Sequence, residues 1–474
     1  MSSKPPGMIT IYRKISLSMV GEYKQYLQRI LPGFLYNGLI IVYRGCKQII
    51  KPFRTFFFLL KHKKVEAKHK KALKNVRSKE KIKAAFFINH DSDWKYEGVY
   101  RIMEEDLRFE PVIIICPYLT YGEEQMLEVM KNGFNFFSEK GYNVIKTLRD
   151  DGTWLDVKNE VQPDLIFFAN PYLHTRAEYY ITNFPDTLTF YVPYAFVITD
   201  RPSLRYQLEL HYLVYKIFRE SNFHSKQARK YSLNRGSNSV VSGYPGLDFV
   251  FKDNGRNNAG DRDKSISNDP WKIKDRQVKR IIWAPHHSIE SDKSRFNFSN
   301  FLEYHQFFLD LADKYKDDII LSFKPHPLLK PKLKNLPGWG EERTENYYKA
   351  WATRPNCQLN EGMYYDLFLS SDAMIHDSVS FLVEYLCTKK PSLYMVIDDY
   401  VLSGFSTLGN KIVDAHYHSR TKEDVESFIK DVVIRGEDTM KQRREELIKT
   451  YLRPPNNNSA SRNIMNEIYR ITGK

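Results

Sequence analysis

The chain has 474 residues, 42% of them hydrophobic and 14% aromatic, with a formal net charge of +15. This length favours two or three domains, each with enough apolar residues for its own core. Its four cysteines (Cys46, Cys116, Cys357, Cys387) form no CxxC pair and no metal-ligand spacing, which points to reduced, mostly buried thiols of a cytoplasmic protein.

The charge is concentrated at one end. Residues 1–83 hold 20 of the 72 Lys and Arg but 3 of the 57 Asp and Glu, a balance of +17, and the other 391 residues balance at −2. Leu31–Tyr43 and Phe56–Leu60 are apolar runs inside this segment, both short of the ~20 residues that a spanning helix needs. No start of the chain reads as a signal peptide. Basic residues interleaved with bulky aromatics suit the headgroup region of an anionic membrane, where each cation adds about 1 kcal/mol. The plain alternative is a helical arm packed on the rest of the protein. Nucleic acid is not expected as a partner, because the chain has no RRM, KH, zinc-finger or helix-turn-helix pattern to accompany the charge.

From Ala84 onward the pattern predicts alternating strands and helices. Strands are expected at 84–89, 111–116, 142–148, 165–169, 187–192 and 239–242, and helices at 94–106, 123–139 and 208–235. Residues 251–278 are polar and aperiodic and read as a linker or long surface loop. A second series follows, with strands at 279–284, 318–323, 372–376, 391–397 and 411–416. Its helices are expected near 299–316, 342–353, 363–370, 379–388 and 421–435. This order predicts an α/β protein with two Rossmann-type domains, 84–250 and 279–437, facing a cleft. Residues 438–474 are expected to be helices that pack back on the first domain. Neither a Walker motif nor GxGxxG is present.

Several strand ends carry polar clusters, and strand ends are where open parallel sheets bind ligands. Asn89-His90-Asp91-Ser92-Asp93 follows the first strand, and His90 and Asp91 are candidates for acid–base work, although Asp91 or Asp93 could equally cap a helix. Trp283-Ala284-Pro285-His286-His287 places an imidazole at the second such end. A His-His pair is also compatible with a metal, but no third ligand at recognised spacing stands nearby, so no metal is expected. Arg295, Phe296 and Phe298 lie in a loop that could fold over a ligand. Lys324-Pro325-His326-Pro327 supplies positive charge at the third end, and a bound phosphate would raise the His326 pKa and keep it cationic. His376-Asp377-Ser378-Val379-Ser380 ends the fourth strand where a helix starts. Asp377 and Ser378 are candidates there either as caps or as anion contacts, with Glu384 two turns further on and suited to ribose hydroxyls.

Taken as an ordered set, Gly243-Tyr244-Pro245 with Asp248, Trp283-Ala284-Pro285, Lys324-Pro325-His326-Pro327, Ser371-Asp372 through Asp377, Ser380 and Glu384-Tyr385-Leu386 resembles the CDP-glycerol glycerophosphotransferase family, which builds teichoic-acid and related polyol-phosphate polymers. The resemblance covers roughly residues 160–435 and is most specific from 240 to 395. It implies a GT-B fold, a CDP-alditol donor in the C-terminal half, a glycan or lipid-linked acceptor and attachment to the inner membrane surface through the basic segment. It implies no cofactor. His326 would touch the donor pyrophosphate, with Lys324, Asp377, Ser378, Ser380, Glu384, Gly243 and Pro245 around the donor.

Two motifs depart from the family pattern. Its DYSS appears here as Asp377-Ser378-Val379-Ser380. Its HGTP-like stretch, whose His is taken as the base, appears as Phe190-Tyr191-Val192-Pro193-Tyr194-Ala195-Phe196, with no His. The base must then come from His90, Asp91 or His286. A nucleotide-sugar glycosyltransferase and a non-catalytic membrane adaptor remain as alternatives.

Overall fold

The computed structural model describes residues 60–474 except 253–268, 276, 290–297, 363 and 398–401. The apolar runs before residue 60, most of the polar linker, and Arg295 and Phe296 lie outside the described residues. No helix among the described residues is long and apolar enough to cross a membrane.

Short runs of β-branched and aromatic residues, apolar on both faces, make strands of two fully parallel sheets. The first contains β1 (Ile82–Ile88), β2 (Phe109–Ile115), β3 (Val144–Lys146), β4 (Leu165–Phe168), β5 (Leu188–Tyr191), β6 (Lys216–Arg219) and β7 (Ser239–Val241), in the order β3-β2-β1-β4-β5-β6-β7. One of its faces is a ladder of rings, with Phe86 stacked on Phe167 (4.7 Å between centroids), Phe167 on Phe190 (4.9 Å) and Phe190 on Phe218 (6.0 Å). All four are fully buried, and burying each contributes about 1.5–3 kcal/mol. The second sheet contains β8 (Lys279–Ala284), β9 (Ile319–Phe323), β10 (Cys357–Leu359), β11 (Ala373–His376), β12 (Ser392–Met395) and β13 (Tyr417–Ser419), in the order β10-β9-β8-β11-β12-β13. Trp283 anchors its core, stacked on Phe308 at 4.2 Å.

In both sheets the strand order reverses beside the first strand, between β1 and β4 and between β8 and β11. The architecture is therefore GT-B-like, with two Rossmann-type lobes.

Residues 65–78 continue a helix whose Val65, His69, Ala72 and Val76 recur at helical spacing and are buried. Val65, Ala72 and Val76 join the cores of the first lobe, and the lysines between them face outward. This part of the basic segment is thus built into the lobe.

The C-terminal helix Ala460–Thr472 lies against the helix Glu97–Glu105 and adds Ile464, Met465, Ile468 and Ile471 to the first lobe's core. The Asp248 carboxylate holds its start, accepting from the amides of Ala460 (2.7 Å) and Ser461 (2.9 Å). Gly243, at φ +89°, lies under Pro454, whose Cβ would be 2.7 Å from any added Cβ.

Three expectations need correction. The helix expected over 208–235 is interrupted by β6, whose Ile217 and Phe218 are fully buried. The strand expected at 411–416 is the end of a helix, Thr407–Val413, and the strand follows at 417–419. Strand β10 and a short helix at Leu329–Lys334 were not anticipated.

The lobes meet along a short backbone seam. Thr199 and Phe405 form an antiparallel bridge, the amide of Ser406 donates to the Ile198 carbonyl at 2.8 Å, and that of Asp200 donates to the Gly404 carbonyl at 2.9 Å. Gly409 permits this approach, because a Cβ there would lie 2.2 Å from the Ile198 oxygen. We expect Gly409→Ala to lower unfolding stability in urea by about 1–3 kcal/mol. An unchanged midpoint and slope would show that the seam tolerates separation.

Candidate functional site

The second lobe contributes its site from three neighbouring strand ends. After β8 come His286 and His287, and after β9 come Lys324 and His326. Their imidazoles pack as a cluster, with centroids 4.2 Å apart for His286–His287, 4.3 Å for His287–His326 and 5.4 Å for His286–His326. Three like rings in contact cannot all be cationic. Burial, reinforced by His287 and His326, pushes His286 down to about 2, and burial with His287 and Lys324 pushes His326 down to about 3. Without a ligand the His326 ring is thus held neutral, and the expected cationic state requires a bound phosphate.

One ring nitrogen from each of the three residues falls within 4.8 Å of the others, so the third imidazole missing from local spacing does arrive through the fold. The hydrogen bonding nevertheless suits an anion better than a metal. The Nδ1 of His286 accepts from the Ser288 amide (3.2 Å), and that of His326 accepts from the Leu328 amide (3.1 Å). Each neutral ring therefore carries its proton on Nε2 and presents an N–H donor. A metal on either Nε2 would force that proton onto Nδ1, against a backbone N–H.

Lys324 is 5% exposed, and its Nζ lies 5.6 Å from the centre of the Tyr364 ring. No carboxylate pairs with it among the described residues, and burial brings its pKa down to about 8. A buried ammonium without a carboxylate partner, beside two N–H donors, is arranged for a ligand's negative charge.

Asp377, expected as a donor contact, is turned toward backbone amides in this structure. It is 1% exposed, and its two oxygens accept from the amides of His286 (2.5 Å) and Asn300 (2.7 Å). Burial raises its pKa to about 7 against these two bonds. It is a positioning residue for the His286 loop. Ser378 is the N-cap of the helix Val379–Glu384 but makes no side-chain cap bond, and its carbonyl lies 3.0 Å from His376 Nδ1. Ser380 is exposed and lines a cleft of about 250 Å³ between the lobes. Glu384 is 4% exposed and accepts from Tyr364 Oη at 2.6 Å, in the field of Lys95 from the opposite lobe. It therefore belongs to the seam between the lobes rather than to an open ribose pocket. Gly243 and Pro245 are likewise removed from the donor contacts: Gly243 packs on Pro454, and Pro245 is buried at the start of a 3-10 turn.

The first lobe answers from the end of β1. Asp91 Oδ1 lies 2.7 Å from His90 Nδ1, and Ser92 Oγ lies 2.8 Å from the same nitrogen. Burial alone would lower the His90 pKa, but Asp91, with Asp93 behind it, raises it above the ordinary value. Burial likewise opposes the Asp91 carboxylate, and His90 nonetheless holds its pKa below normal. His90 is near enough to His326 for its charge to be felt there across the cleft. It is the one candidate histidine with a carboxylate beside Nδ1, a nitrogen that also accepts from the Ser92 amide at 3.1 Å; with a proton on Nδ1 turned toward Asp91, Nε2 is left to accept another. Burial works against the Lys95 ammonium, but Tyr365, Glu384 and Asp93 hold its pKa above normal.

His287, Lys95, Tyr364, Arg201 and Arg205 were missed as site residues. His287 stands inside a strand-end motif already singled out, and Lys95 lies two residues beyond another. Arg201 and Arg205 flank Pro202 after β5, another strand end, and that position was the available signal.

The sequence model of a family described as CDP-Glycerol:Poly(glycerophosphate) glycerophosphotransferase matches residues 212–403. Among solved structures, the wall teichoic acid polymerase TagF is similar at 14% identity and a TM-score of 0.55, over 90% of this chain and 98% of that one. A UDP-N-acetylglucosamine 2-epimerase is similar at 12% identity and a TM-score of 0.50, over 83% of this chain and 97% of that one. No curated protein sequence is similar enough to count as a match.

Because the folded state keeps His326 neutral while an unfolded chain protonates it near pH 6.5, its contribution favours unfolding as pH falls below that value. His326→Gln should therefore lose less stability between pH 7.5 and pH 5 than the native chain, by up to about 2 kcal/mol. Urea titrations at the two pH values measure this, and equal losses would contradict a neutral imidazole.

Proposed function

We propose, from the match of residues 212–403 to the CDP-glycerol glycerophosphotransferase family model, that the chain moves an alditol phosphate from a CDP-activated donor to a hydroxyl of a glycan or lipid-linked acceptor. The acceptor oxygen attacks the phosphorus that bears the alditol. A new O–P bond forms, the bond from that phosphorus to the bridging oxygen breaks, and CMP leaves with the bridging oxygen. His90, oriented by Asp91, takes the hydroxyl proton on Nε2. Lys324 and the Nε2–H groups of His286 and His326 stabilise charge on the phosphate oxygens.

The observation that carries this reading is the buried ammonium of Lys324, in the field of Glu361 but in no ion pair among the described residues, beside imidazoles locked as donors at adjoining strand ends. The charge of +17 in residues 1–83 supports peripheral attachment to an anionic membrane surface on the cytoplasmic side.

Incubation with CDP-glycerol and with CDP-ribitol, following CMP release, tests the reaction. His326→Ala should cut turnover at least ~100-fold while the thermal midpoint is kept. Undiminished turnover discards the assignment. Thermal shift with CDP, UDP and GDP separates the donors: a saturating nucleotide at 100 times its Kd stabilises by about 2.7 kcal/mol. Selectivity for uridine would favour a nucleotide-sugar transferase, and no response would favour a non-catalytic protein. The Lys324 ammonium is charged below pH 8 and lost above it, so kcat/KM for the donor should fall as pH rises past 8. In Lys324→Arg that fall should disappear, and its persistence would point to another group.

A further inference from the structure

The cleft contains a second group of cations that this mechanism leaves idle. Arg201, Arg205 and Tyr194 from the first lobe face Phe298, Val379 and Ser380 from the second across the cavity of about 250 Å³. Arg205 Nη1 donates to Tyr194 Oη at 3.1 Å and lies 3.4 Å from Tyr172 Oη. These partners are neutral phenols, and no carboxylate pairs with Arg205 among the described residues. Its Nε–H is buried and meets no acceptor among the described residues. Behind it, Arg219 is 2% exposed and lines a small void together with Arg205, and its Nη2 also meets no acceptor. Glu220 is the one carboxylate whose charge acts on Arg219, so the pair of guanidiniums leaves positive charge uncompensated.

This positive wall is separate from the imidazole cluster. Phe298 stands between them, on the cavity wall and edge-on to His286 at 5.5 Å. A guanidinium held flat by phenols, with an idle N–H and a hydroxyl facing it across the cleft, has the donor geometry for a phosphate group.

We propose that Arg205 and Arg201, with Tyr194 beside them and Ser380 opposite, form a second phosphate subsite, apart from Lys324 and the imidazoles, that takes a phosphate ester. The inference deepens the transferase reading and rests on it for the meaning of the occupant, which is either the phosphate carried by the acceptor or that of the transferred group after reaction. The physical claim concerns binding alone and is tested as such.

Isothermal titration of sn-glycerol 3-phosphate into the full chain saturated with CDP should show binding. Arg205→Gln should weaken it at least tenfold and leave the thermal shift with CDP unchanged. Arg205→Lys should recover part of the affinity. Arg201→Gln, at an exposed position, should weaken binding a few fold and keeps the test open if Arg205→Gln does not fold. Absence of binding to the native chain, equal binding by both glutamine variants, or displacement of glycerol 3-phosphate by CDP would overturn the proposal. If CDP fails to bind at all, the transferase reading falls, while dependence of glycerol 3-phosphate binding on Arg205 still decides this one. To identify the source, turnover by the native chain is compared on acceptors with and without a terminal phosphate. A lower KM for the phosphate-bearing acceptor, lost in Arg201→Gln, assigns the subsite to the acceptor, and equal KM values assign it to the transferred group.

Discussion

One buried carboxylate organises the second lobe's side of the cleft. Asp377 ends β11, and its oxygens are held by the amides of His286, just past β8, and Asn300, at the start of the helix Phe301–Lys314. Two separate turns of chain are thereby pinned to a third. An anion placed in a fully enclosed position is costly, as its raised pKa records, and it persists because amides satisfy it on both sides. The positions of His286 and Phe298, and through them the packing of His287 on His326, follow from that clamp.

The two lobes divide the chemistry. Each offers the loops beside its strand-order reversal, where parallel sheets leave a crevice. The second lobe supplies imidazole N–H groups and an ammonium, suited to phosphate oxygens. The first supplies a histidine backed by a carboxylate and, further along, guanidiniums. For the proposed phosphoryl transfer neither set would be sufficient alone, because that reaction needs a hydroxyl activated and negative charge accommodated at once. The seam at residues 198–200 and 404–406 fixes how near the halves come, and Lys95 facing Glu384 adds a charge contact across it.

Much of the fold was legible because strands buried on both faces announce themselves as unbroken apolar runs, as in Ala84-Ala85-Phe86-Phe87-Ile88. The strand at Lys216–Arg219 was not, because four residues between two charged ends are too few to break a helical period. Lys411-Ile412-Val413 misled in the opposite way: β-branched residues suggested a strand where burial of one helical face was their role. At the site, the strand-end motifs were visible, but the job of each residue was not. A hydrogen-bonding carboxylate looks the same in sequence whether it faces a ligand, like a contact, or a pair of amides, as Asp377 does. Glu384 and Gly243 were misplaced for the same reason, since their partners, Tyr364 and Pro454, are brought to them only by the fold.

The closing helix has a further implication, for biogenesis. Ile464, Met465, Ile468 and Ile471 fill a hydrophobic interior whose other walls come from residues before 220. On a ribosome, that interior stays partly wet until residues 460–472 emerge, long after its own sheet has been synthesised. The lobe is thus completed late, by contacts of large sequence separation that form slowly. Until then its phenylalanine ladder lacks part of its cover, and chaperones would find their binding surface there.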